Sequence, residues 1–279
     1  MTTALAQMTF TVNGLLAFQR LAHIAMLPAH LRIRPQLLHI ADQEVPLSPE
    51  EHDVLTEAGL LTVNGADPDA ATVLRALAHP DAEVNLTLGG KDRAETYICL
   101  ARRHQLFVAA ARCGEEVTVD AFTHWDENRV VAMLSDTVRA YVFDGGEGSG
   151  LGLDRAEFPL DRLHSAMCAE EPAKWPVTLQ SLGVSRQLAT VLVRSETELL
   201  RRAEIAAYLN HEVARSNPDT IVRVTSLSSG ALMTSFASDN NGQRWLTVED
   251  YESARLDRAI LAALRSVPGN AWFSHSRSD

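Results

Sequence analysis

The chain has 279 residues, a formal net charge of −11 and an apolar fraction of 46%, and its mean hydropathy is −0.07. These values are typical of a soluble globular protein, and the acidic balance disfavours binding to a nucleic-acid backbone, which requires a basic face. No apolar run reaches the roughly 18 residues of a membrane helix, and Met1–Met8 lacks the pattern of a signal peptide. We therefore expect a cytoplasmic protein that does not contact a membrane.

The N-terminal part contains a predicted strand, a helix and a second short strand. Thr9–Val12 alternates between polar and apolar residues and ends at an Asn-Gly turn. Apolar side chains between Leu15 and Ile24 fall on one helical face, and Pro28 is predicted to end this helix. In His30–Arg34 apolar residues alternate with arginines, which predicts a short strand.

Two further helices have clear start signals. Ser48 is a good N-cap, Pro49 occupies the first helical position, and Glu51 completes a capping box. Gly59 closes this helix. Asp67, followed by proline, opens the next helix by the same chemistry.

The stretch from Ala82 to Val142 contains a pattern that the chain uses twice. Its first copy consists of four predicted strands and a helix: Glu83–Leu88, Thr96–Arg102, Leu106–Ala111, Val117–Phe122 and Asp126–Val142. About 120 residues later the same order returns in Glu204–His211, Ile221–Leu227, Ala231–Ala237, Gln243–Val248 and Tyr251–Ser266. We interpret this as a duplicated unit of four antiparallel strands plus a helix.

The region before the second copy contains predicted short helices and one ambiguous segment. Leu160–Cys168 and Trp175–Arg194 have helical patterns, with Gly183 interrupting the second. Leu199–Val213 is rich in helix formers. Since the duplication places a strand within this segment, we predict a strand there.

A glycine-rich segment joins the two copies. Asp144–Gly152 contains five glycines, but their spacing matches neither the P-loop nor the dinucleotide-binding motif, so we interpret it as a flexible linker. It would join pseudo-repeat halves at about 1–143 and 153–279 of a single domain. We predict an α+β fold in which a quasi-two-fold duplicated unit forms a central antiparallel β-sheet flanked by two α-helical subdomains.

The chain carries no local motif for metal binding or catalysis. Cys99, Cys113 and Cys168 are odd in number and form no C-x-x-C motif, as expected of reduced cytosolic thiols. His211-Glu212 begins like a zinc-protease motif, but an arginine at position 215 replaces the second histidine. We therefore predict no metal, no cofactor and no enzymatic activity.

Four parts of the chain, in order, resemble the EspG family. T-F-T-V-N-G-L-L-A-F at Thr9–Phe18, followed by Leu31–Pro35, is similar to the family's opening elements. Ala101–Thr118 resembles its central hairpins, Leu179–Ala189 resembles its L-G-I-x-x-x-x-A segment, and V-P-G-N-A-W at Val267–Trp272 resembles its terminal L-P-x-G-x-W. The ordered set spans nearly the whole chain.

The resemblance implies a function. EspG proteins are cytosolic chaperones of mycobacterial ESX (type VII) secretion systems, with a quasi-two-fold fold. They hold PE–PPE heterodimers before export and cover the hydrophobic tip of the PPE helices, which would otherwise aggregate. The central hairpins are most similar to those of the paralogue that serves the fifth ESX system. Gly89–Arg93 is shorter than the corresponding loop of some members, which contacts the partner, so affinity or partner choice is expected to differ.

The resemblance places the partner contact on the sheet and the C-terminal helical subdomain. The candidate partner-binding residues are Leu182, Val184, Arg186, Leu188, Arg223, Thr225, Leu227, Met233 and Phe236. Two alternatives stay open: an enzyme such as a hydrolase, with a site assembled from scattered residues, and a self-assembling scaffold protein. A homodimer is a further candidate state of the free protein.

Overall fold

The computed structural model describes residues 6–33, 47–63, 65–169, 171, 174–212, 214–239 and 241–277. Its strands are β1 (Ala6–Thr11), β2 (Leu61–Thr62), β3 (Gly65–Ala66), β4 (Ala82–Gly90), β5 (Thr96–Arg103), β6 (Leu106–Cys113), β7 (Glu116–Thr123), β8 (Ala156–Pro159), β9 (Arg201–Leu209), β10 (Thr220–Leu227), β11 (Gly230–Ser238) and β12 (Arg244–Asp250). Its α-helices are α1 (Val12–Leu21), α2 (Pro49–Glu57), α3 (Pro68–Ala78), α4 (Glu127–Val142), α5 (Leu160–Ala169), α6 (Trp175–Ser181), α7 (Arg186–Thr197) and α8 (Ser253–Arg265).

Ten strands form one antiparallel sheet in the order β1-β7-β6-β5-β4-β9-β10-β11-β12-β8. At its centre β4 pairs with β9, with Leu86 opposite Ile205. Three hairpin-connected strands extend from each side of this pair, and β1 and β8 form the edges. The sheet and its helices confirm the α+β fold class, whereas the duplicated origin of the two halves stays a prediction.

Alternation along β9 shows how the sheet is covered on one face. Ala203, Ile205, Ala207 and Leu209 are all buried and point to the core beneath α4 and α8. Because side chains alternate across a strand, the intervening residues of β9 point to the other face. We call the first face the α4–α8 face and the second the open face.

Two separate groups of helices cover the flanks of the open face. The first helix group, α1–α3 with the 3₁₀ turn Ala29–Leu31, packs on β5, β6 and β7 through a core that includes Phe18, Leu74 and Val119. The second helix group, α5–α7, packs on β10, β11 and β12 through a core that includes Leu188 and Leu232. The middle of the open face lies between the two groups.

The predicted helix starts are confirmed. The backbone N–H of Glu51 donates to Ser48 Oγ at 3.2 Å, and the N–H of Ser48 donates to Glu51 Oε2 at 2.8 Å, so the capping box is complete. Asp67 caps α3 by accepting from the N–H of Ala70 at 2.8 Å. Strand β9 also confirms the strand predicted within Leu199–Val213, although Val213 lies outside the described residues.

Two N-terminal predictions were wrong. Helix α1 ends at Leu21, well before Pro28. Instead of a strand from His30, the structure has a 3₁₀ turn, in which the N–H of Leu31 donates to the carbonyl of Pro28 at 3.1 Å. Arg32 then adopts the left-handed region with φ of +53°. Burial of Leu31 in the core of the first helix group outweighs the alternating pattern of the sequence. Residue 34, the end of the predicted strand, lies outside the described residues.

The glycine-rich segment after α4 is fixed to the sheet by hydrogen bonds. The N–H of Leu151 donates to Asp250 Oδ1 at 2.5 Å, and the N–H of Ala231 donates to the carbonyl of Ser149 at 2.8 Å. Gly150 forms a parallel bridge with Ala231. Its last residues are therefore held against the sheet, because Asp250 supplies acceptors for their backbone, whereas the flexibility expected of the whole segment stays a prediction. The division of the chain into halves at this segment stays a prediction.

Candidate partner-binding surface

The middle of the open face is a strip of partly exposed side chains from β4, β9 and β10. We call it the central strip and define it by Thr87, Arg202, Glu204, Tyr208, Ile221 and Arg223. These strands lie between the two helix groups, so their open-face side chains keep contact with solvent. On the opposite face the same strands are sealed by α4 and α8.

A charged pair occupies the middle of the central strip. Arg223 donates to Glu204 Oε2 from Nε at 3.1 Å and from Nη2 at 2.7 Å. The two residues face each other across β9 and β10. The guanidinium also lies 5.6 Å from the ring centroid of Phe236, which is half-buried against the core of the second helix group. An aromatic ring and a carboxylate therefore hold this arginine in place.

A second ion pair lies at one end of the central strip. Glu83 is buried, and Arg215 Nη1 donates to its Oε1 at 2.6 Å. The Arg215 guanidinium also stacks over Tyr208 at 4.0 Å, and burial raises the pKa of that phenol. Asn85 donates to Glu83 at 3.4 Å, but its own carbonyl oxygen has no partner among the described residues.

The other end of the central strip meets the first helix group at a charged cluster. Glu95 lies 3.5 Å from Arg202 and 3.7 Å from Arg32. Tyr97 donates a hydrogen bond to Glu95, which raises the pKa of the phenol, and Arg32 lies 4.3 Å above its ring. Arg32, Arg202, Arg215 and Arg223 thus outnumber Glu83, Glu95 and Glu204 by one here.

The second helix group presents exposed apolar side chains. Val177 on α6 is 72% exposed and Leu182, at the end of α6, is 40% exposed. Gly183, with φ of +89°, turns the chain from α6 into α7. Exposed apolar side chains bordered by a polar surface are typical of a protein–protein contact site.

The candidate residues predicted from sequence fall into three classes. Leu182 and Arg186 are exposed, and Arg223 and Phe236 are half-buried on the open face. The buried ones on or beneath the same side are Val184, Leu188, Thr225 and Leu227. Met233 is 1% exposed and packs in the core beneath α4 and α8. It is therefore not part of the surface on which the other candidates lie.

Sequence reasoning missed several residues that form this surface. Glu204, Tyr208, Arg215 and Glu83 were not candidates, although they make its main polar contacts. Glu204 could have been found from the sequence, because it is opposite in charge to Arg223 and the two residues lie on strands that were predicted to pair.

Two clefts in the described part of the chain carry charged side chains. One lies between α8 and the strands β10–β12 and includes Arg255, Arg258 and Glu249; the other includes Arg201, Asp92 and Asp144. Neither cleft is lined by a histidine. Over the same described ranges, no three His, Cys, Asp or Glu side chains are grouped to hold a metal ion.

Comparison with known proteins identifies the family. The model of the EspG family matches residues 11–262. The chain belongs to the EspG family. Two curated EspG relatives, the ESX-5 secretion-associated proteins EspG5 of Mycobacterium tuberculosis and Mycobacterium marinum, are each 23% identical over 296 aligned positions, covering 96% of both chains. The resemblance drawn from the sequence motifs is therefore confirmed.

A solved EspG structure has the same fold. It is the type VII secretion system chaperone EspG5 of M. tuberculosis, in complex with the PE25–PPE41 dimer. The match has a TM-score of 0.80 at 19% identity and covers 97% of this chain and all of that one. None of the helices in the part of our chain that the structure describes combines the length and apolar character needed to cross a bilayer.

Proposed function

We propose that the protein is a cytoplasmic, non-enzymatic chaperone that binds PE–PPE heterodimers and keeps them soluble for export by a type VII secretion system. The observation that carries this proposal is the EspG family match across residues 11–262, together with EspG5 relatives aligned over 96% of both chains. Both relatives are ESX-5 proteins, which supports assignment to the fifth system.

The contact surface in this proposal is the central strip together with the second helix group. Val177 and Leu182 would cover an apolar tip of the PPE protein, which in isolation is an aggregation liability. The partly exposed charges of the strip would form the polar part of the interface. Arg186 and Phe236 keep their predicted role as contact residues within this surface.

Co-expression tests the proposal. The chain is produced with PE25–PPE41 and with the PE–PPE pairs of its own genome, and the products are analysed by size-exclusion chromatography with light scattering. We expect a complex with one copy of each chain. If no pair co-elutes, the proposed function is wrong, and a mass of twice the free chain would favour self-assembly instead.

A pair of matched variants tests the surface. Val177→Asp is expected to weaken binding at least about tenfold, since a charge would be buried in the apolar part of the interface. Val63→Asp is the control, because Val63 is also highly exposed but lies next to β2, away from the second helix group. Equal binding by both variants, with circular dichroism unchanged, would exclude α6 from the contact.

A further inference from the structure

The two edges of the ten-stranded sheet differ in how they are protected against pairing with another strand. Strand β8 (Ala156–Pro159) is four residues long, carries the exposed Glu157 and ends in proline. Short length, charge and proline are features that keep an edge strand from pairing with another chain. Strand β1 (Ala6–Thr11) has six residues with no charge and no proline, and its register with β7 is unbroken. The β1 edge therefore lacks these protections.

The hydrogen bonds of β1 show which of its backbone groups face outward. The N–H of Val12 donates to the carbonyl of Glu115 at 2.9 Å, and the β1–β7 register, continued by one residue, places these two residues opposite each other. Hydrogen-bonded and non-hydrogen-bonded pairs alternate along an antiparallel ladder, so the even-numbered residues of β1 bond to β7. The N–H and C=O groups of Gln7 and Thr9 consequently point away from the sheet. In the described part of the chain, nothing hydrogen-bonds to these outer groups.

The side chains at this edge are suited to pairing with an identical strand. Gln7, Thr9 and Thr11 are exposed, whereas Phe10 is buried in the core of the first helix group and Met8 packs partly against that core. A two-fold axis that pairs β1 with its own copy would place any charge on the edge near an identical charge. Like charges that face each other across a strand pair are destabilising, and each copy carries a net charge of −11. The uncharged edge is where two such copies can approach with little repulsion.

We propose that β1 is an interface for a second copy of this chain, and that the two β1 strands pair antiparallel about a two-fold axis at Thr9. In this register Thr9 faces Thr9 of the second copy as a hydrogen-bonded pair, which is a favourable cross-strand pair of threonines. The carbonyl of Gln7 accepts from the N–H of the opposite Thr11, and the axis repeats this bond. On the other face Met8 lies opposite Phe10 of the second copy, which adds an apolar contact.

This interface is expected to be weak and compatible with cargo binding. One strand pair of this length is expected to bury less than the roughly 800 Å² per partner of a standard interface. We therefore expect a dissociation constant on the order of 10–100 µM. Strands β7, β6 and β5 separate β1 from the central strip, so a second copy leaves the strip open. The PE–PPE complex with one copy of each chain is expected at concentrations well below that range.

Sedimentation equilibrium of the intact chain without cargo, from about 1 to about 300 µM, tests the interface. We expect a monomer at the low end of this range and a dimer at the high end. Thr9→Lys places two lysines against each other across the axis and should weaken association at least about tenfold. The control is Thr247→Lys, which makes the same change of charge on β12, one strand in from the opposite edge. It should leave association unchanged, with the circular dichroism of both variants equal to that of wild type.

Cysteine cross-linking tests the register in a chain whose exposed Cys113 and Cys168 are replaced by serine. The Cα atoms of a hydrogen-bonded antiparallel pair lie about 5.5 Å apart, within the range that a disulfide spans. Thr9→Cys should therefore form a covalent dimer on oxidation. Gln7→Cys should not, because the axis puts the two copies of position 7 about 13 Å apart along the strands.

The outcomes separate this inference from the proposed function. A free chain that stays monomeric at every concentration overturns the inference and leaves the chaperone proposal intact, since cargo binding is measured separately. Equal association of Thr9→Lys and wild type, or cross-linking through Gln7→Cys but not Thr9→Cys, also overturns it. If the free chain is monomeric and Thr9→Lys weakens binding of the PE–PPE pair, the edge takes cargo and not a second copy. A chain that dimerises through β1 but binds no PE–PPE pair supports the interface and contradicts the proposed function.

Discussion

Arg102 donates from Nε to the backbone carbonyl of Trp272 at 2.8 Å, although the two residues are 170 positions apart. Trp272 is 1% exposed and donates from its indole to the carbonyl of Glu83 at 3.2 Å. Arg102 also lies 3.6 Å from the buried carboxylate of Asp81, which accepts from the N–H of Arg277 at 3.0 Å. The C-terminal segment is thereby fastened across the ends of β4 and β5.

We expect Arg102→Met to destabilise the chain by about 3–5 kcal/mol, because it leaves Asp81 buried without its charged partner. Urea titration followed by circular dichroism measures this loss. Arg129→Met is the control: Arg129 is exposed on α4, so its change should stay within about 0.5 kcal/mol. Equal stability of the two variants would show that the contacts of Arg102 contribute nothing to the free energy of unfolding.

Gly150 is predicted to tolerate no side chain. A Cβ at this position would lie 2.2 Å from Asp250 Oδ2, whose carboxylate binds the N–H groups of Leu151 and Gly152. Gly150→Ala should therefore cost about 1–3 kcal/mol through overpacking, as measured by urea titration. Gly89→Ala is the control, since its Cβ would make only ordinary contacts from 3.6 Å.

A double variant separates the clash from a general effect of alanine. Asp250→Ala removes the atoms that Gly150→Ala would strike, so the two changes should cost less together than the sum of their separate costs. Additive costs would contradict the steric explanation.

Signals confined to a few neighbouring residues predicted the elements well. Ser48 and Glu51 are three positions apart, so their reciprocal cap is visible in the sequence. The turn at Ala29–Leu31 was missed, because burial of Leu31 depends on helices distant in sequence. The docking of Gly150 depends on Asp250, 100 positions later, which no local pattern reveals.

The surface was harder to predict because it depends on register. Met233 and Phe236 are three positions apart on one strand, so they point to opposite faces. This spacing could have excluded Met233 from the start. The Glu204–Arg223 pair requires the pairing of β9 with β10 to be known residue by residue, and the sequence alone did not provide it.

The ion pairs of Arg201 are expected to make the free energy of unfolding depend on pH. It donates from Nη2 to Asp92 Oδ2 at 2.8 Å, and its Nη1 lies 2.5 Å from Asp144 Oδ1. Hydrogen bonding to Arg201 holds the pKa of both carboxyls below the ordinary 3.8. The unfolded chain therefore takes up protons at higher pH than the folded one. The stabilisation is fully present above the unfolded pKa and is lost as pH falls through the lowered folded values.

We expect Arg201→Gln to be less stable than wild type at neutral pH and to converge with it in acid, below the folded pKa values of Asp92 and Asp144. Free energies of unfolding from urea titrations across this pH range measure the difference. The control is Arg129→Gln, a change at an exposed side chain. Its free energy of unfolding should change with pH in the same way as that of wild type. If the difference in unfolding free energy between Arg201→Gln and wild type stayed constant across this pH range, the two carboxyls would not be linked to folding through this arginine.

The buried Glu83 depends on Arg215 for its charge compensation. Its side chain is 6% exposed, and the distance from its Oε1 to Arg215 Nη1 is 2.6 Å. Arg215→Ala should destabilise the chain by about 1–3 kcal/mol, a value below that of a fully buried pair because 44% of the arginine side chain is exposed. Urea titration measures the loss. Adding Glu83→Gln to Arg215→Ala should recover stability, since the amide removes the uncompensated charge. A double variant no more stable than Arg215→Ala alone would place the cost in the lost stacking of Arg215 on Tyr208 instead.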